Sequence, residues 1–242
     1  MEKYKERTYR NLIKKNDLIK YRVVVKETDL HVHSIIPLED ITRELVLEYR
    51  GYLENYIKRY PSFAKTLVPW EINEPVHIIV SEMSESSKKA GVGPMASVAG
   101  AIAEHVGYGI LPYSPQVIVE NGGDIFLKLD NPATVGIFAG DSPLSLHIGL
   151  KINSINKPMA VCTSSGKVGP SLSFGKADAV CVVSHSCSLA DSCATAIGNM
   201  VKSKKDIDKA IRSGKNINGI IGIVIIIDDK LGAWGDLEIV PI

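Results

Sequence analysis

Asp191 and Thr195 stand four residues apart in Ser188-Leu189-Ala190-Asp191-Ser192-Cys193-Ala194-Thr195-Ala196-Ile197-Gly198-Asn199. On a helix that spacing puts a carboxylate and a hydroxyl on one face. Such a pair suits a hard cation such as Mg²⁺, which prefers oxygen ligands. A structural role fits the same residues. Ser188 followed three positions later by Asp191 reads as a capping box, and Thr195 could bond back to the preceding turn.

Three other stretches carry groups suited to an anionic ligand. In Lys88-Lys89-Ala90-Gly91-Val92-Gly93-Pro94, the N–H groups around Gly91 and Gly93 could meet a phosphate, with Ser97 in the helix that follows. It is neither a Gly-Lys-Ser/Thr phosphate loop nor a dinucleotide fingerprint, so a plain glycine-rich helix entry stays open. Glu120 and Asp124 flank Asn121-Gly122-Gly123, a tight-turn signal. Gly122 and Gly123 would let the chain pass close to a ligand, and the two acids could orient a heterocycle or hold a metal. Thr163-Ser164-Ser165-Gly166-Lys167 offers hydroxyls, N–H groups and an ammonium to a phosphate. No Gly-x-Ser-x-Gly elbow accompanies it. His185 has no orienting acid visible in sequence and is a weak candidate base. His31 and His33 share a strand face but have no third metal ligand near them in sequence.

The elements that must position these groups are legible in outline. Residues 7–15 and 20–28 read as strands joined by Lys15-Asn16-Asp17, with Leu30, Val32 and Ile35 continuing the alternation. Pro37 to Tyr60 is a long amphipathic helix stopped by Pro61. The segment 62–75 is a loop anchored by Trp70. Val76 to Val80 reads as a short strand, followed by a polar stretch. A helix of small residues then runs to about Val106 and ends at Gly107 and Gly109. Strands are expected over 116–120, 124–128, 134–139, 144–150, 159–163, 179–183, 220–227 and 237–240. A short helix is expected over 205–212. Ile78-Ile79-Val80-Ser81 and Val182-Val183-Ser184 each precede a small-residue helix. This echo suggests two related α/β halves, about 1–115 and 116–242, within a single α+β domain. The sheets would be mostly antiparallel, with a cleft between the halves.

Bulk properties narrow the partners. Apolar residues make up 45% of 242, and 28 basic against 27 acidic side chains leave a net charge of +1, so nothing favours nucleic acid. The basic N-terminus lacks the apolar core of a secretory signal, and Ile220 to Ile227 is too short to span a bilayer as a helix. A cytoplasmic protein with no membrane partner is expected, its four cysteines reduced. Cys162 and Cys181 read as buried thiols and Cys187 as the one most open to solvent. The continuous apolar run 220–227 could be a covered strand or the edge of a homodimer.

Taken together, these motifs resemble those of a small protein group related to the thiamine-biosynthesis-associated FAD:protein FMN transferase family. Ala190-Asp191-Ser192-Cys193-Ala194-Thr195-Ala196 is similar to that family's late Ala-Asp-Ala-x-Ala-Thr-Ala motif. Glu120-Asn121-Gly122-Gly123-Asp124 resembles its central turn, Thr163-Ser164-Ser165-Gly166 its Thr-Ser-Gly loop, and Gly91 through Ala103 its early turn and helix. The resemblance spans about residues 76–202 and implies the transferase fold and a cleft for FAD or FMN. It also implies Mg²⁺ on Asp191 and Thr195, and chemistry that moves FMN from FAD to a protein hydroxyl. The chain departs from the pattern where the family has an early lysine, here Gly93-Pro94. It departs again where the family has His-Ile-x-Asp-Pro, since residues 169–178 contain no histidine. Two function classes follow. One is an Mg²⁺-assisted enzyme acting on a flavin or another small phosphorylated heterocycle. The other is a non-catalytic flavin or nucleotide binding or sensor protein.

Overall fold

The computed structural model describes residues 18–167 and 173–242. The expected strand at 7–15 and the loop residues Gly169, Pro170, Ser171 and Leu172 lie outside the described residues. Among the described residues, eleven strands and five α-helices are arranged as an α+β fold, and every strand pairing is antiparallel.

The first strand, β1 (Ile19–Val25), turns at Lys26 and Glu27 and pairs back on β2 (Thr28–Ser34). The alternation seen in sequence is therefore a hairpin rather than one long strand. Lys26 takes a left-handed φ of 52° to make the turn. Then come α1 (Glu39–Arg59), closed by Pro61, and a loop that Trp70 pins by donating its Nε1–H to the Tyr56 hydroxyl at 3.0 Å.

The expected strand at 76–80 is instead the start of a helix, α2 (Ile78–Ala90). The apolar run Ile78-Ile79-Val80 invites a strand reading, but local chemistry at both ends selects the helix. His77 caps it, its Nδ1 facing the Ile79 N–H at 3.5 Å, and Gly91 ends it in the left-handed conformation. Ile79, Val80 and Met83 then share the buried face. The echo between the two halves loses its first strand by this.

A 3₁₀ turn over Pro94–Ser97 runs directly into α3 (Val98–Ile110). Gly107 and Gly109 do not end α3. They lie inside it, where Gly107 admits the Phe126 ring and Gly109 the Leu45 side chain.

β3 (Val117–Asn121) and β4 (Asp124–Lys128) form the expected glycine hairpin. β5 (Ala133–Gly136) and β6 (Ile148–Ile152) are shorter than the alternation of leucines suggests. Residues 141–147 fold as turns, with Leu146 at φ 60°. β7 (Met159–Ser164), β8 (Ala179–Ser184) and α4 (Cys187–Met200) follow. After them a 3₁₀ turn at Lys204–Asp206 leads into α5 (Ile207–Gly214). β9 (Ile220–Ile227), β10 (Lys230–Gly235) and β11 (Glu238–Pro241) close the chain.

Eight strands form one sheet in the order β1-β2-β3-β4-β7-β8-β9-β10, and β11-β6-β5 form a second. One face of the large sheet packs on the helices, with Val119, Phe126, Cys162, Val182 and Ile225 meeting Met83, Ala101, Val106, Ala194 and Ile197. The other face packs on the small sheet, with Leu127, Val161, Val183 and Ile226 against Val135, Leu150 and Ile152. β9 lies between β8 and β10, so its continuous apolar sequence is that of an interior strand buried on both faces.

Candidate functional site

The hairpin turn between β3 and β4, the start of α3 and the first half of α4 converge on the helix side of the large sheet. Gly122 makes the turn with φ 79°, a conformation that costs glycine nothing. Gly123 brings that turn against β7: its carbonyl accepts the Thr163 N–H at 3.1 Å. Asn121 ties the same turn to α3 by donating from Nδ2 to the Ala99 carbonyl at 3.0 Å.

Asp191 lies across from this turn. Its carboxylate accepts the backbone N–H of Gly100 at 3.0 Å and that of Ala99, two of the orphan donors at the start of α3. The approach is close because Gly100 lacks a side chain. A Cβ there would lie 2.5 Å from the Cys187 carbonyl oxygen and 2.9 Å from the Asp191 Cβ. Asp191 keeps some contact with solvent at its rim, yet protein surrounds it densely. Burial first, and then the charge of Asp124, push its carboxyl well above the usual carboxylate range. Asp124 is itself buried, at the first position of β4. Thr195 is half-buried one turn further along α4 from Asp191.

The start of α4 is set by residues the spacing of Ser188 and Asp191 does not reveal. Ser186, not Ser188, is the N-cap, its Oγ accepting the Leu189 N–H. Ser188 is fully buried inside the first turn. Glu104 of α3 supplies the rest of the cap. Its Oε2 accepts the N–H of Cys187 at 2.8 Å, that of Ser188 at 3.2 Å and the Ser186 hydroxyl at 3.3 Å. The two helices that carry the site are therefore joined twice. A carboxylate of α4 caps α3, and a carboxylate of α3 caps α4. Glu104 is invisible as a functional residue in sequence because its partners lie more than 80 positions away. Asn121 is visible only as a turn residue.

The other sequence candidates divide. Asp124, Gly122, Gly123, Asp191 and Thr195 line or frame the convergence. Ser164 points toward α4, near Gly198. Thr163 contributes its backbone, but its side chain faces the opposite side of the sheet, where its hydroxyl bonds the Cys181 thiol. Glu120 also faces that side, alternating with Asn121 and standing opposite His31 in the strand register. Glu120 and Asp124 thus do not work as a pair. Ser165 accepts the Lys167 N–H with its hydroxyl, while Lys167 swings away to Asp178 at 2.8 Å. Gly91 is the C-cap of α2, and Gly93 packs its Cα against the Thr66 carbonyl. The Ser97 hydroxyl is fully buried and donates to the Pro94 carbonyl at 2.8 Å.

Cys187 is not the solvent-open thiol. It is fully buried, its Sγ faces the Ile125 carbonyl, and burial pushes it up to about 11. His185 is exposed, with Nδ1 directed at the Pro158 carbonyl. Among the described residues no group of three or more His, Cys, Asp or Glu side chains is placed to hold a metal ion, either around His31 and His33 or around Asp191. No helix of the described residues is long and apolar enough to cross a membrane.

Comparison with known proteins agrees with this architecture. The fold is similar to that of the flavinyl transferase ApbE of Pseudomonas stutzeri, with a TM-score of 0.56, 15% identity, and coverage of 92% of this chain and 94% of that one. It is also similar to the flavin transferase ApbE of Vibrio cholerae, with a TM-score of 0.52, 12% identity, and coverage of 90% and 96%. In sequence the chain is 39% identical over 203 residues to a UPF0280 protein of Methanococcus aeolicus, covering 82% of each. It is 40% identical over 217 residues to a UPF0280 protein of Methanocella arvoryzae, covering 88% of this chain and 87% of the other. Residues 10–235 match the family described as AbpE bacteria, and the chain belongs to that family.

Proposed function

We propose that the chain binds a phosphate-bearing flavin, FAD or FMN, together with Mg²⁺, in the convergence of the β3–β4 turn, α3 and α4. The proposal extends to chemistry on the flavin's phosphate groups there. The observation that carries this reading is the environment of Asp191. The groups that set its charge are a second carboxylate, Asp124, and two backbone N–H groups, with no cation among them. A divalent ion would relieve that repulsion and draw both acids into their ionised form.

The donor set fits Mg²⁺ in kind. Asp191, Thr195 and Asp124 would supply two carboxylates and a hydroxyl, and Mg²⁺ fills the rest of its shell with water and phosphate oxygens. Such an ion, when bound, would neutralise charge on a diphosphate. Around it, the segments 91–97 and 163–165 are the proposed phosphate side, with the N–H groups of Gly91 and Thr163 already donated to the Ser87 and Gly123 carbonyls. Gly122 and Gly123 let the flavin approach the turn. Glu120, on the other face of the sheet, leaves the set. Fold likeness to proteins named as flavin transferases supports the ligand class.

A second reading is a flavin-binding or sensor protein without turnover. The observation in its favour is that neither His185 nor Lys167 is aimed at the cleft: His185 is turned to the Pro158 carbonyl, and Lys167 is paired with Asp178. Isothermal titration of the purified chain with FAD, FMN and ADP, with and without Mg²⁺, tests both. Flavin binding that strengthens with Mg²⁺ and weakens in Asp191→Asn supports the site. Silence toward all three ligands overturns it. AMP release from FAD in the presence of an acceptor protein favours the enzyme, and stable binding without release favours the sensor.

A further inference from the structure

At the far end of α4, about 15 Å along the helix from Asp191 at 1.5 Å per residue, lies a second concavity of about 530 Å³. Five lysines line it: Lys167, Lys176, Lys202, Lys204 and Lys205. Its size is that of a small-molecule pocket. Backbone bonds build it. The Phe174 N–H donates to Asn199 Oδ1 at 2.8 Å and the Lys176 N–H to the Val201 carbonyl at 2.7 Å, which fastens the chain before β8 to the end of α4. The Asp228 N–H donates to Asp178 Oδ2 at 2.6 Å, holding the β9–β10 turn on the other side.

The charges are unevenly placed. Lys167 pairs with Asp178 at 2.8 Å, and Lys204 pairs with Asp229 at 2.6 Å and Asp228 at 3.4 Å. Asp206 lies at the helix start, where it accepts the N–H groups of Lys202 and Ser203, and Asp141 lies near Lys167. Lys176, Lys202 and Lys205 enter no ion pair among the described residues. The acids therefore gather around Lys167 and Lys204, and three ammonium groups stay outside these pairs. The lining is lysine without arginine, which suits point-charge contact with phosphate rather than forked contact with a planar carboxylate. Among the described residues its lining has no aromatic ring on which a base could stack.

We propose that this pocket binds a compact di- or triphosphate chain, recognised by charge alone and independently of any flavin in the cleft. Isothermal titration of the full chain with inorganic pyrophosphate and tripolyphosphate tests it. The Lys202→Gln/Lys205→Gln double variant should weaken tripolyphosphate at least tenfold. The charge-matched Lys58→Gln/Lys65→Gln variant should change it less than twofold, with melting temperatures of all forms compared. Asp191→Asn should leave the isotherm intact, and ATP should bind within tenfold of tripolyphosphate. Absence of heat with either polyphosphate overturns the proposal, as does equal weakening in both double variants. Loss in Asp191→Asn would move the phosphate to the cleft, and much tighter ATP or equal binding of a glutamate oligomer would refute charge-only phosphate recognition.

Discussion

The two faces of the large sheet are covered in different ways. Toward the small sheet, Leu127, Val161 and Ile226 interlock with Val135, Leu150 and Ile152, aliphatic against aliphatic. Toward the helices the sheet meets α3 and α4, whose buried residues include Gly100, Ala101, Ala103, Cys187, Ala190, Cys193 and Ala194 beside a few larger ones such as Val106 and Ile197. Large side chains keep backbones apart and fill the space between them with apolar volume. Small ones let backbones touch, so carboxylates of one helix reach N–H groups of the other. The candidate site lies on the second kind of face, where the main-chain donors at the start of α3, a glycine turn and two acids converge. The aliphatic face has its polar groups at one end, where His31, His33 and Glu120 share it.

The strongest way to break the contrast is at the paired helix caps. Removing Glu104 leaves the Cys187 and Ser188 N–H groups buried without an acceptor, and Glu104→Ala should cost about 3–4 kcal/mol. Glu104→Gln keeps an acceptor oxygen and should cost less than half of that. Urea denaturation of the three forms measures both. A near-neutral Glu104→Ala would mean that small-residue packing alone joins α3 to α4.

The aliphatic face has its own signature in acid. Burial, then Lys20 and His31, depress His33 to about 4. The unfolded chain binds a proton there near pH 6.5 while the folded chain does not. Stability from this group is therefore complete above pH 6.5 and falls as the pH drops toward 4, by at most about 3 kcal/mol. His33→Gln should flatten that part of the stability profile. An unchanged slope between pH 6.5 and 4 would assign the acid sensitivity elsewhere.

How much of this is legible in the chain depends on how local the cause is. The Asn121-Gly122-Gly123 hairpin, the α1 stop at Pro61 and the interior strand 220–227 are written in neighbouring residues, and the structure has all three. The helical nature of 78–90 is not, because Ile78-Ile79-Val80 favours a strand and only the His77 cap and the packing of Met83 decide against it. β10 escapes because Lys230-Leu231-Gly232-Ala233-Trp234-Gly235 lacks β-branched residues and is ordered by pairing with β9. At the site, Asp124 and Asp191 stand out as residue types. Their mutual influence, and the roles of Glu104 and Asn121, need three-dimensional proximity.

Close backbone approach can be tested at Gly100. Alanine inside a helix ordinarily gains about 1 kcal/mol over glycine. Here its Cβ would press on the Cys187 carbonyl, and a gap of 2.5 Å leaves no room without parting the helices. The overpacking term should win, leaving Gly100→Ala about 1–2 kcal/mol less stable. Flavin affinity should drop with it, since the Ala99 and Gly100 donors shift relative to Asp191. A stabilised Gly100→Ala protein would show that α3 and α4 are not held at contact distance.

The smallest expected effect sharpens the comparison most, because its sign is opposite to that of His33. The folded chain holds the Asp191 proton more tightly than the unfolded chain does. Stability tied to this group is thus present at low pH. It is lost as the pH rises from the ordinary aspartate range toward the raised folded value. Asp191→Asn keeps an oxygen for the Gly100 N–H and removes the charge beside Asp124, so at pH 8 it should stabilise the protein by about 1 kcal/mol. Millimolar Mg²⁺ should raise the wild-type melting temperature at the same pH and leave the variant unmoved. If Mg²⁺ shifts both proteins equally, the ion binds away from Asp191. If Asp191→Asn is destabilised at pH 8, the carboxylate is already balanced within the fold, and the helix face carries no stored repulsion for a cation to relieve.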